Sequence, residues 1–171
     1  FGINLSMPYK QAVIPYLDDL TESARLIGAV NTVLHQDGLL IGHNTDGIGF
    51  FKSLETLRAF HVRNKRLTIL GGGGASTAII AQAAIDGAKE INIFCRPQSV
   101  ERTVATVQTI AQTTGVSLQV LPNNDSQLLA EHINNSDLLI NGTSVGMDGT
   151  SLPLPATIRF PEELLVADVI Y

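Results

Sequence analysis

The 171-residue chain has one cysteine, no tryptophan and no long run of Lys or Arg. A single cysteine, Cys95, cannot form an internal disulfide, and this favours a cytoplasmic location. No apolar run reaches the ~20 residues needed to span a bilayer. The net charge of −5 argues against a nucleic-acid surface and against an anionic membrane face. With 44% hydrophobic residues, the composition predicts a globular protein that binds small molecules.

The two ends of the chain show no processing signal. The sequence opens at Phe1 with neither an initiator methionine nor a signal-peptide pattern, and it stops within "VADVIY", which is typical of a buried strand. We therefore expect an internal piece of a longer protein, consisting of one domain or parts of two.

From Arg66 onward, short apolar runs alternate with helical patterns. Gly87 and Gly115 follow helical patterns, and Ser99 and Asp125 are suitable N-caps. The alternation predicts βαβ units on a parallel sheet that is covered on both faces. The runs are "LTIL", "TAIIAQAAIDGA", "INIF", "SVERTVATVQTIAQTTG", "SLQVL", "DSQLLAEHIN", "DLLING" and "LLVADVIY".

The first ~60 residues have a different pattern. A short strand, "GINLS", precedes a helical stretch that Pro15 should kink or shorten. The runs "NTVLH" and "LLIGH" flank "QDG" and predict a hairpin with Gly38 at its turn. A helix over "GIGFFKSLETL" follows, and the polar stretch after it places a boundary near His61. The predicted domains are residues 1–60 and 61–171.

Four consecutive glycines lie between a predicted strand and a predicted helix in "LTILGGGGASTAII". Glycine reaches backbone angles closed to other residues, and it lets a pyrophosphate approach the free N–H groups of the helix. Read as GxGxxG, the stretch has Gly71 and Gly73 but Ser76 in the third position. It predicts a dinucleotide site, with a plain tight turn as the alternative.

The end of the second predicted strand of this region distinguishes between cofactors. An acidic residue about 20 positions after the glycines would bind the ribose of NAD, whereas an Arg can accommodate the 2′-phosphate of NADP. Here the strand ends in "IFCRPQ", with Cys95 and Arg96 and no acid. This favours NADP; in the alternative, Arg96 lies on the surface or covers the adenine without contacting a phosphate.

Lys10 and Asp46 are the candidate chemical groups of the first region. Reduction of a carbonyl needs a proton donor beside the oxygen that gains charge, and a partner that holds the donor in place. A lysine and a carboxylate can form such a pair. The alternatives are a solvent-facing lysine and an aspartate that merely caps the helix starting near Gly47.

The ordered motifs "NLSMPYK", "GAVNT", "GHNTDGIGF", "LGGGGASTA" and "NGTSVGM" resemble the shikimate dehydrogenase family, and "SMPYKQ", "GGASTAI" and "NGTSVGM" are most similar to its quinate/shikimate dehydrogenase branch. The resemblance implies an α/β fold, with a partial substrate domain followed by a partial Rossmann-type domain. It implies reversible, NAD(P)-dependent interconversion of shikimate and 3-dehydroshikimate in aromatic amino acid biosynthesis, with quinate as a second substrate. It also implies that an opening βα segment and closing helices of the family are missing. The expected partners are a small-molecule substrate and, in a homodimer, a second copy.

Carried over by position, the resemblance assigns the catalytic lysine to Lys10 and the catalytic aspartate to Asp46. Both would also contact the substrate. Glu22 matches a family position that is less firmly associated with the cofactor side of the cleft. The further substrate-binding positions are Ser6, where the family has threonine, Asn31 and Tyr171.

The resemblance also implies which residues bind the cofactor, and it implies no metal site. Gly72 replaces the usual alanine of the family's glycine turn, and Gln98 stands where the quinate branch has the aspartate that admits NAD. NADP is therefore expected, with NAD as a second cofactor, and the loop "NGTSVGM" either lines the nicotinamide pocket or is purely structural. The cofactor-binding positions are Gly71, Gly72, Gly73, Gly74, Ala75, Cys95, Arg96, Ser144 and Val169.

Three alternatives remain at this point. A sister dehydrogenase could prefer quinate or an aminoshikimate. A dehydrogenase fold that has lost its catalytic activity could sense the metabolite, although the presence of Lys10 and Asp46 counts against this. An unrelated Rossmann oxidoreductase is disfavoured by the motifs of the first region.

Overall fold

The computed structural model describes residues 1–6 and 8–170 and contains two sheets. The first sheet has the order β1-β3-β4-β2, with β2 parallel to β4 and the other pairs antiparallel. Its strands and the helices around it are β1 (Gly2–Asn4), α1 (Tyr9–Ala12), β2 (Asp19–Leu20), α2 (Glu22–Ile27), β3 (Thr32–Gln36), β4 (Leu39–His43) and α3 (Asp46–Arg58).

The predicted hairpin is confirmed. Strands β3 and β4 pair from Thr32 opposite His43 to Gln36 opposite Leu39. The two turn residues have positive φ, 53° at Asp37 and 84° at Gly38. An Asp-Gly pair suits a turn of this kind, because its twist matches that of the flanking strands.

Pro15 shortens the first helical stretch, as predicted. Helix α1 ends at Ala12, and a separate 3-10 turn over Ile14–Tyr16 has the proline in its first turn. Proline lacks the N–H that a continuous helix would need there. The consequence for the site is that only one short turn of helix carries Lys10.

The predicted helical stretch ran on to residue 20, but the structure has strand β2 at residues 19–20; no element was predicted for residues 22–27, where the structure has α2. The Thr21 hydroxyl caps α2 by accepting a hydrogen bond from the backbone N–H of Ala24, and Gly28 ends the helix at φ 67°. Thr before and Gly after a six-residue helix are ordinary start and stop signals. The signals were present, but the helix is too short for apolar periodicity to reveal it.

The second sheet is entirely parallel, with the order β7-β6-β5-β8-β9. This confirms the predicted α/β class with βαβ units. Its elements are β5 (Arg66–Leu70), α4 (Gly74–Ile85), β6 (Glu90–Cys95), α5 (Val100–Thr114), β7 (Ser117–Pro122), α6 (Ser126–Asn134), β8 (Leu138–Asn141) and β9 (Leu165–Asp168).

Both faces of this sheet are covered. One face packs its inward side chains, such as Ile69 and Ile93, against α4 and α5. The other packs Leu70, Phe94 and Leu139 against α6. Burial on both sides accounts for the apolar runs of the central strands β5, β6 and β8. The expectation of a buried strand in "VADVIY" is wrong, because β9 is an edge strand whose residues are half-buried or exposed.

The structure confirms the residues predicted to start and end the helices, with one exception. Asp125 caps α6 by accepting hydrogen bonds from the N–H groups of Gln127 and Leu128, and Gly115 ends α5 at φ 72°. Ser99 occupies the N-cap position of α5, but its side chain makes no capping hydrogen bond. The reason is local: Ser99 closes a 3-10 turn, Pro97–Ser99, and has φ −103° and ψ −8° rather than extended backbone.

The two sheets are joined by the packing of α3 on α4. At Gly47, an added Cβ would collide with the backbone carbonyl oxygen of Ala78 and would lie 2.7 Å from Gln82 Cβ. Glycine therefore allows the start of α3 to approach the backbone of α4. No helix in the described part of the chain is long and apolar enough to cross a membrane.

Candidate functional site

Lys10 and Asp46 form an ion pair, although 36 positions separate them in the sequence. Lys10 Nζ donates to Asp46 Oδ2 at 2.7 Å. The lysine lies on α1 and the aspartate is the first residue of α3. Their side chains are 29% and 38% exposed, so a ligand can reach both. The arrangement gives an ammonium and a carboxylate that can contact one hydroxyl or carbonyl group.

Asn31 holds the other carboxylate oxygen. Its Nδ2 donates to Asp46 Oδ1 at 2.8 Å and to Thr45 Oγ1 at 3.0 Å. Its Oδ1 accepts from the backbone N–H of Thr45 at 3.0 Å. The three residues predicted from distant motifs, Lys10, Asn31 and Asp46, thus lie in one hydrogen-bonded cluster, which we call the Lys–Asp–Asn cluster.

The interpretation of Asp46 as an N-cap is wrong by one residue. Thr45 occupies the N-cap of α3, and its side chain makes no capping hydrogen bond. Asp46 is the first helical residue, and its N–H donates to Asn44 Oδ1 at 3.1 Å. Because the Asp46 carboxylate does not cap the helix, both of its oxygens are available to Lys10 and Asn31.

The remaining predicted substrate positions are only partly described. Ser6 is exposed, and its carbonyl accepts from the N–H of Tyr9 at 2.9 Å, which holds it one turn before Lys10. Glu22 is exposed in the first turn of α2, and α2 packs against α4. Tyr171 lies outside the described residues.

The glycine turn fits a nucleotide. Gly71 has φ 93°, and a Cβ there would lie 3.2 Å from the Gly142 carbonyl oxygen. A Cβ at Gly73 or Gly74 would meet no heavy atom within 4 Å. The start of α4 therefore faces open space, and the N–H groups of its first turn have no partner within the helix. Backbone donors and a helix dipole at an open turn suit a pyrophosphate.

Ser76 explains the departure from the glycine pattern. It is fully buried, and its hydroxyl donates to the Gly142 carbonyl at 3.2 Å. A side chain at this third position therefore ties α4 to the loop after β8, where the usual glycine would only allow close packing. Gly142 in turn has no room for a Cβ because Ser76 Oγ fills that space.

A cavity of about 340 Å³ opens beside the glycine turn, at the carboxyl ends of the parallel strands. Ligands of open α/β sheets bind at this edge. Of the predicted cofactor positions, Gly71, Gly72, Gly73, Cys95, Arg96 and Ser144 line it. Gly74, Ala75 and Val169 are described but do not line it. Gly74 and Ala75 are already in the first turn of α4, and Val169 is tied to β8 by its N–H, which donates to the Asn141 carbonyl at 3.1 Å.

Arg102 is a lining residue that the sequence analysis missed. It lies in the first turn of α5, six positions after Arg96. Two guanidinium groups on one cavity suit an anionic ligand such as a phosphate. The available signal was positional, because the first turn of a helix that follows a parallel strand lies at the carboxyl edge of the sheet.

The loop after β8 is fixed by Asn141, which is 5% exposed. Its Oδ1 accepts from the N–H and hydroxyl of Thr143 at 3.1 and 2.7 Å. Its Nδ2 donates to the Asp168 carboxylate at 3.1 Å and to the Val145 carbonyl at 3.2 Å. Asp168 also accepts from the N–H of Ile170 at 2.9 Å. The "NGTSVGM" loop and the end of β9 are therefore one connected structure; the sequence analysis did not identify Asp168.

Asp148 follows this loop and carries a perturbed carboxyl group. The hydroxyl and N–H of Ser151, together with the N–H of Thr150, lower its pKa to about 2. These donors favour the charged form of the carboxyl. The group is fully exposed, so it stabilises the shape of the turn and does not mark a reactive site.

A larger cavity, about 660 Å³, lies between α3, α4 and the segment that joins the two sheets. None of the predicted site residues lines it. Four of its polar side chains bind one another in pairs: Lys52 Nζ donates to Glu55 at 2.6 Å and Gln82 Nε2 donates to Asp86 at 2.9 Å. We therefore assign the candidate nucleotide site to the smaller cavity. Within residues 1–6 and 8–170, no group of three or more His, Cys, Asp or Glu could hold a metal ion.

Known proteins are similar to this chain in sequence and in fold. Residues 1–33 match the family model of the shikimate dehydrogenase substrate binding domain. All 171 residues align at 81% identity with the shikimate dehydrogenase (NADP(+)) of Streptococcus suis, and cover 59% of that protein. The chain thus spans about three fifths of the length of the curated relatives that it matches.

Two solved structures are similar over 99% of this chain. The shikimate 5-dehydrogenase of Listeria monocytogenes, in complex with shikimate and NAD, has a TM-score of 0.93 at 41% identity, with 60% of that chain covered. The ligand-free 5-ketofructose reductase of a Gluconobacter strain has a TM-score of 0.83 at 40% identity, with 59% of that chain covered. By its sequence and its fold, the chain is similar over nearly its whole length to proteins of the shikimate dehydrogenase family.

Proposed function

We propose that the protein containing this chain is a shikimate dehydrogenase that interconverts shikimate and 3-dehydroshikimate with NADP. The observation that carries the proposal is the Lys–Asp–Asn cluster, in which Lys10 Nζ lies 2.7 Å from Asp46 Oδ2. Shikimate has a carboxylate and three hydroxyls, and its recognition needs several fixed donors and acceptors. The cluster supplies an ammonium, a carboxylate and an amide.

Each residue of the cluster has a distinct role in this proposal. During oxidation the neutral amine of Lys10 takes the proton from the hydroxyl oxygen and becomes the ammonium; during reduction the ammonium returns this proton to the carbonyl oxygen. Asp46 accepts a hydrogen bond from the hydroxyl of the bound alcohol before the proton moves to Lys10, and it orients the ammonium that then forms, while Asn31 fixes the carboxylate. Ser6 and Tyr171 would bind the rest of the substrate. Bound NADP⁺ supplies the hydride acceptor.

The lining of the smaller cavity supports NADP as the preferred cofactor. Arg96 and Arg102 both line it, and Gln98 stands where an acidic side chain would repel a 2′-phosphate. The open turn at Gly73 and Gly74 offers backbone N–H groups to the pyrophosphate. In this proposal NAD also binds, more weakly, because the phosphate contacts are lost.

The division of the chain near residue 60 belongs to the same proposal. Residues 1–60 would form the substrate domain and residues 61–171 the nucleotide domain, each with its own sheet. The Lys–Asp–Asn cluster belongs to the first and the smaller cavity to the second. A cytoplasmic location, a homodimer and quinate as a second substrate complete it. Light scattering on the purified protein tests the dimer.

A second candidate substrate has a specific observation behind it. The Gluconobacter protein is 40% identical to this chain and its name gives a different keto substrate. A sister activity on 5-ketofructose, quinate or an aminoshikimate is therefore the main alternative. The less favoured alternative is a non-catalytic sensor. The intact ion pair between Lys10 and Asp46 argues against it.

The test is a panel on the full-length protein. Shikimate, quinate and an aminoshikimate are assayed with NADP⁺ and NAD⁺, and 5-ketofructose with the reduced cofactors. We expect shikimate with NADP⁺ to have the highest kcat/KM. A higher kcat/KM for another substrate would show that the protein has the sister activity. No turnover with any of these substrates would favour the non-catalytic sensor.

Replacing the lysine tests the mechanism. Lys10→Ala should lower kcat by about 10²- to 10⁴-fold, the usual contribution of general acid–base catalysis. Lys52→Ala is the matched control, because Lys52 pairs with Glu55 on the exposed side of α3 and should leave kcat unchanged. Equal kcat in the two variants would refute the role of Lys10.

A further inference from the structure

Asn44 is the one buried polar residue that precedes Thr68 in the described part of the chain, and it is 3% exposed. It is not a member of the Lys–Asp–Asn cluster. It lies two positions before Asp46, between β4 and α3. A buried amide is costly unless both of its ends are hydrogen-bonded, so its partners indicate what it stabilises.

The partners of Asn44 are two backbone groups. Its Nδ2 donates to the Ala29 carbonyl at 3.0 Å, and its Oδ1 accepts from the N–H of Asp46 at 3.1 Å. One neighbour can only accept and the other can only donate, so the orientation of the amide is unambiguous. Asn44 therefore ties the first residue of α3 to the segment that precedes β3.

This segment, residues 29–31, supports all three members of the Lys–Asp–Asn cluster. The N–H of Val30 donates to the Lys10 carbonyl at 2.7 Å. Asn31 belongs to the segment and contacts the Asp46 carboxylate directly. Asn44 adds the missing connection, from the backbone of Asp46 back to Ala29. The backbone positions of Lys10 and Asp46 are thus both fixed to the same three residues.

We infer that Asn44 is a positioning residue, which fixes the separation of Lys10 Nζ and Asp46 Oδ2 by holding the first turn of α3 against residues 29–31. It does so from the buried side, while Asn31 holds the carboxylate from the open side. Asn44 does not contact the substrate, because its amide is buried and both ends are bonded to backbone. The inference rests on the proposed function for its kinetic consequence, but not for its structural one.

The direct test is structural and does not depend on an enzyme assay. In Asn44→Ala, the N–H of Asp46 loses its acceptor, so its hydrogen exchange should accelerate and a crystal structure should show the Lys10–Asp46 distance lengthened beyond 3.5 Å. Asn44→Ser is the conservative variant. A serine hydroxyl can accept from the N–H two positions later but cannot reach Ala29, so protection of the Asp46 N–H should be partly restored. An unchanged distance and unchanged exchange in Asn44→Ala would overturn the inference.

The kinetic test uses the full-length protein with shikimate and NADP⁺. A misplacement of about 1 Å in an active site can cost about 10²-fold. We therefore expect Asn44→Ala to lower kcat by about 10- to 100-fold, more than it raises KM, and to increase the solvent isotope effect on kcat. Asn44→Ser should lie between Asn44→Ala and the wild type. In a Lys10→Ala background, Asn44→Ala should lower kcat by less than about twofold more, because the pair that it positions is absent.

Asn92→Ala separates positioning from mere stability. Asn92 is 2% exposed on β6, and its amide binds Glu90 at 2.8 Å, away from the cluster. Its loss should destabilise the protein without changing the isotope effect. An active wild type whose kcat survives Asn44→Ala would overturn this inference alone, whereas a wild type inactive on shikimate would overturn the proposed function and, with it, the kinetic role.

Discussion

Substitution of Gly47 by alanine should separate α3 from α4 and destabilise the protein. Gly47 is the second residue of α3. An added Cβ would collide with the carbonyl oxygen of Ala78, which belongs to the backbone of α4, and would lie 2.7 Å from Gln82 Cβ. A backbone carbonyl within a helix cannot rotate away, so the helices themselves must move.

The expected magnitude is the difference of two effects. Alanine in place of glycine favours a helix by roughly 0.5–1 kcal/mol. Overpacking in a close contact costs about 1–3 kcal/mol, and the upper part of this range applies because the obstacle is backbone. Gly47→Ala should therefore lower the free energy of unfolding by about 1–2 kcal/mol.

Gly49 in the same helix is the matched control. A Cβ there would meet no heavy atom within 4 Å, so Gly49→Ala should gain the helical preference without a clash. Urea unfolding of both variants, compared at equal m-values, gives the difference. We expect Gly49→Ala to be the more stable variant by about 2 kcal/mol. Equal stabilities would refute the claim that the α3–α4 contact requires a glycine.

Three further substitutions test other parts of the site. Gly72→Ala would place a Cβ 2.5 Å from Thr103 Oγ1 and should cost about 1–3 kcal/mol in urea unfolding; Thr103→Ala in the same chain should recover part of the loss. Arg96→Ala should weaken NADP binding by about 10- to 100-fold, the loss of a charge-assisted hydrogen bond, whereas equal losses for NADP and NAD in a fluorescence titration would contradict a phosphate contact. Ser151→Ala should raise the pKa of Asp148 from about 2 toward 3.8 in an NMR titration. Since the native pKa lies below the ordinary aspartate value of 3.8, the stabilisation from Asp148 is complete above that pH and is lost as the pH falls toward 2.

The parallel sheet could be predicted because its central strands β5, β6 and β8 are buried on both faces. Ile69, Ile93 and Ile140 are completely buried, and strands covered on both faces appear in the sequence as continuous apolar runs. The glycine turn was equally evident, since a backbone at φ 93° needs glycine whatever surrounds it. In both cases the constraint is local and leaves its mark on neighbouring residues.

Contacts between distant segments were not predictable in the same way. The sequence predicted no distance between Lys10 and Asp46; the resemblance supplied their roles, and only the fold shows the 2.7 Å pair. Thr45, the true N-cap, could not be distinguished from Asp46 because both residue types favour that position. Asn44 carried no signal either, since its two partners are backbone groups, which have no sequence identity.

The contact at Gly47 also explains how a site divided between two sheets can keep one geometry. Asp46 immediately precedes this glycine, and Ala78 lies one turn after Gly74, where α4 begins at the glycine turn. The carboxylate and the nucleotide-binding turn are therefore connected through the contact between α3 and α4. Productive catalysis needs groups held within about 0.5 Å of their working positions. Because Lys10 and Asn31 are fixed to Asp46 through residues 29–31, a movement of the first sheet relative to the second would carry the Lys–Asp–Asn cluster as one unit.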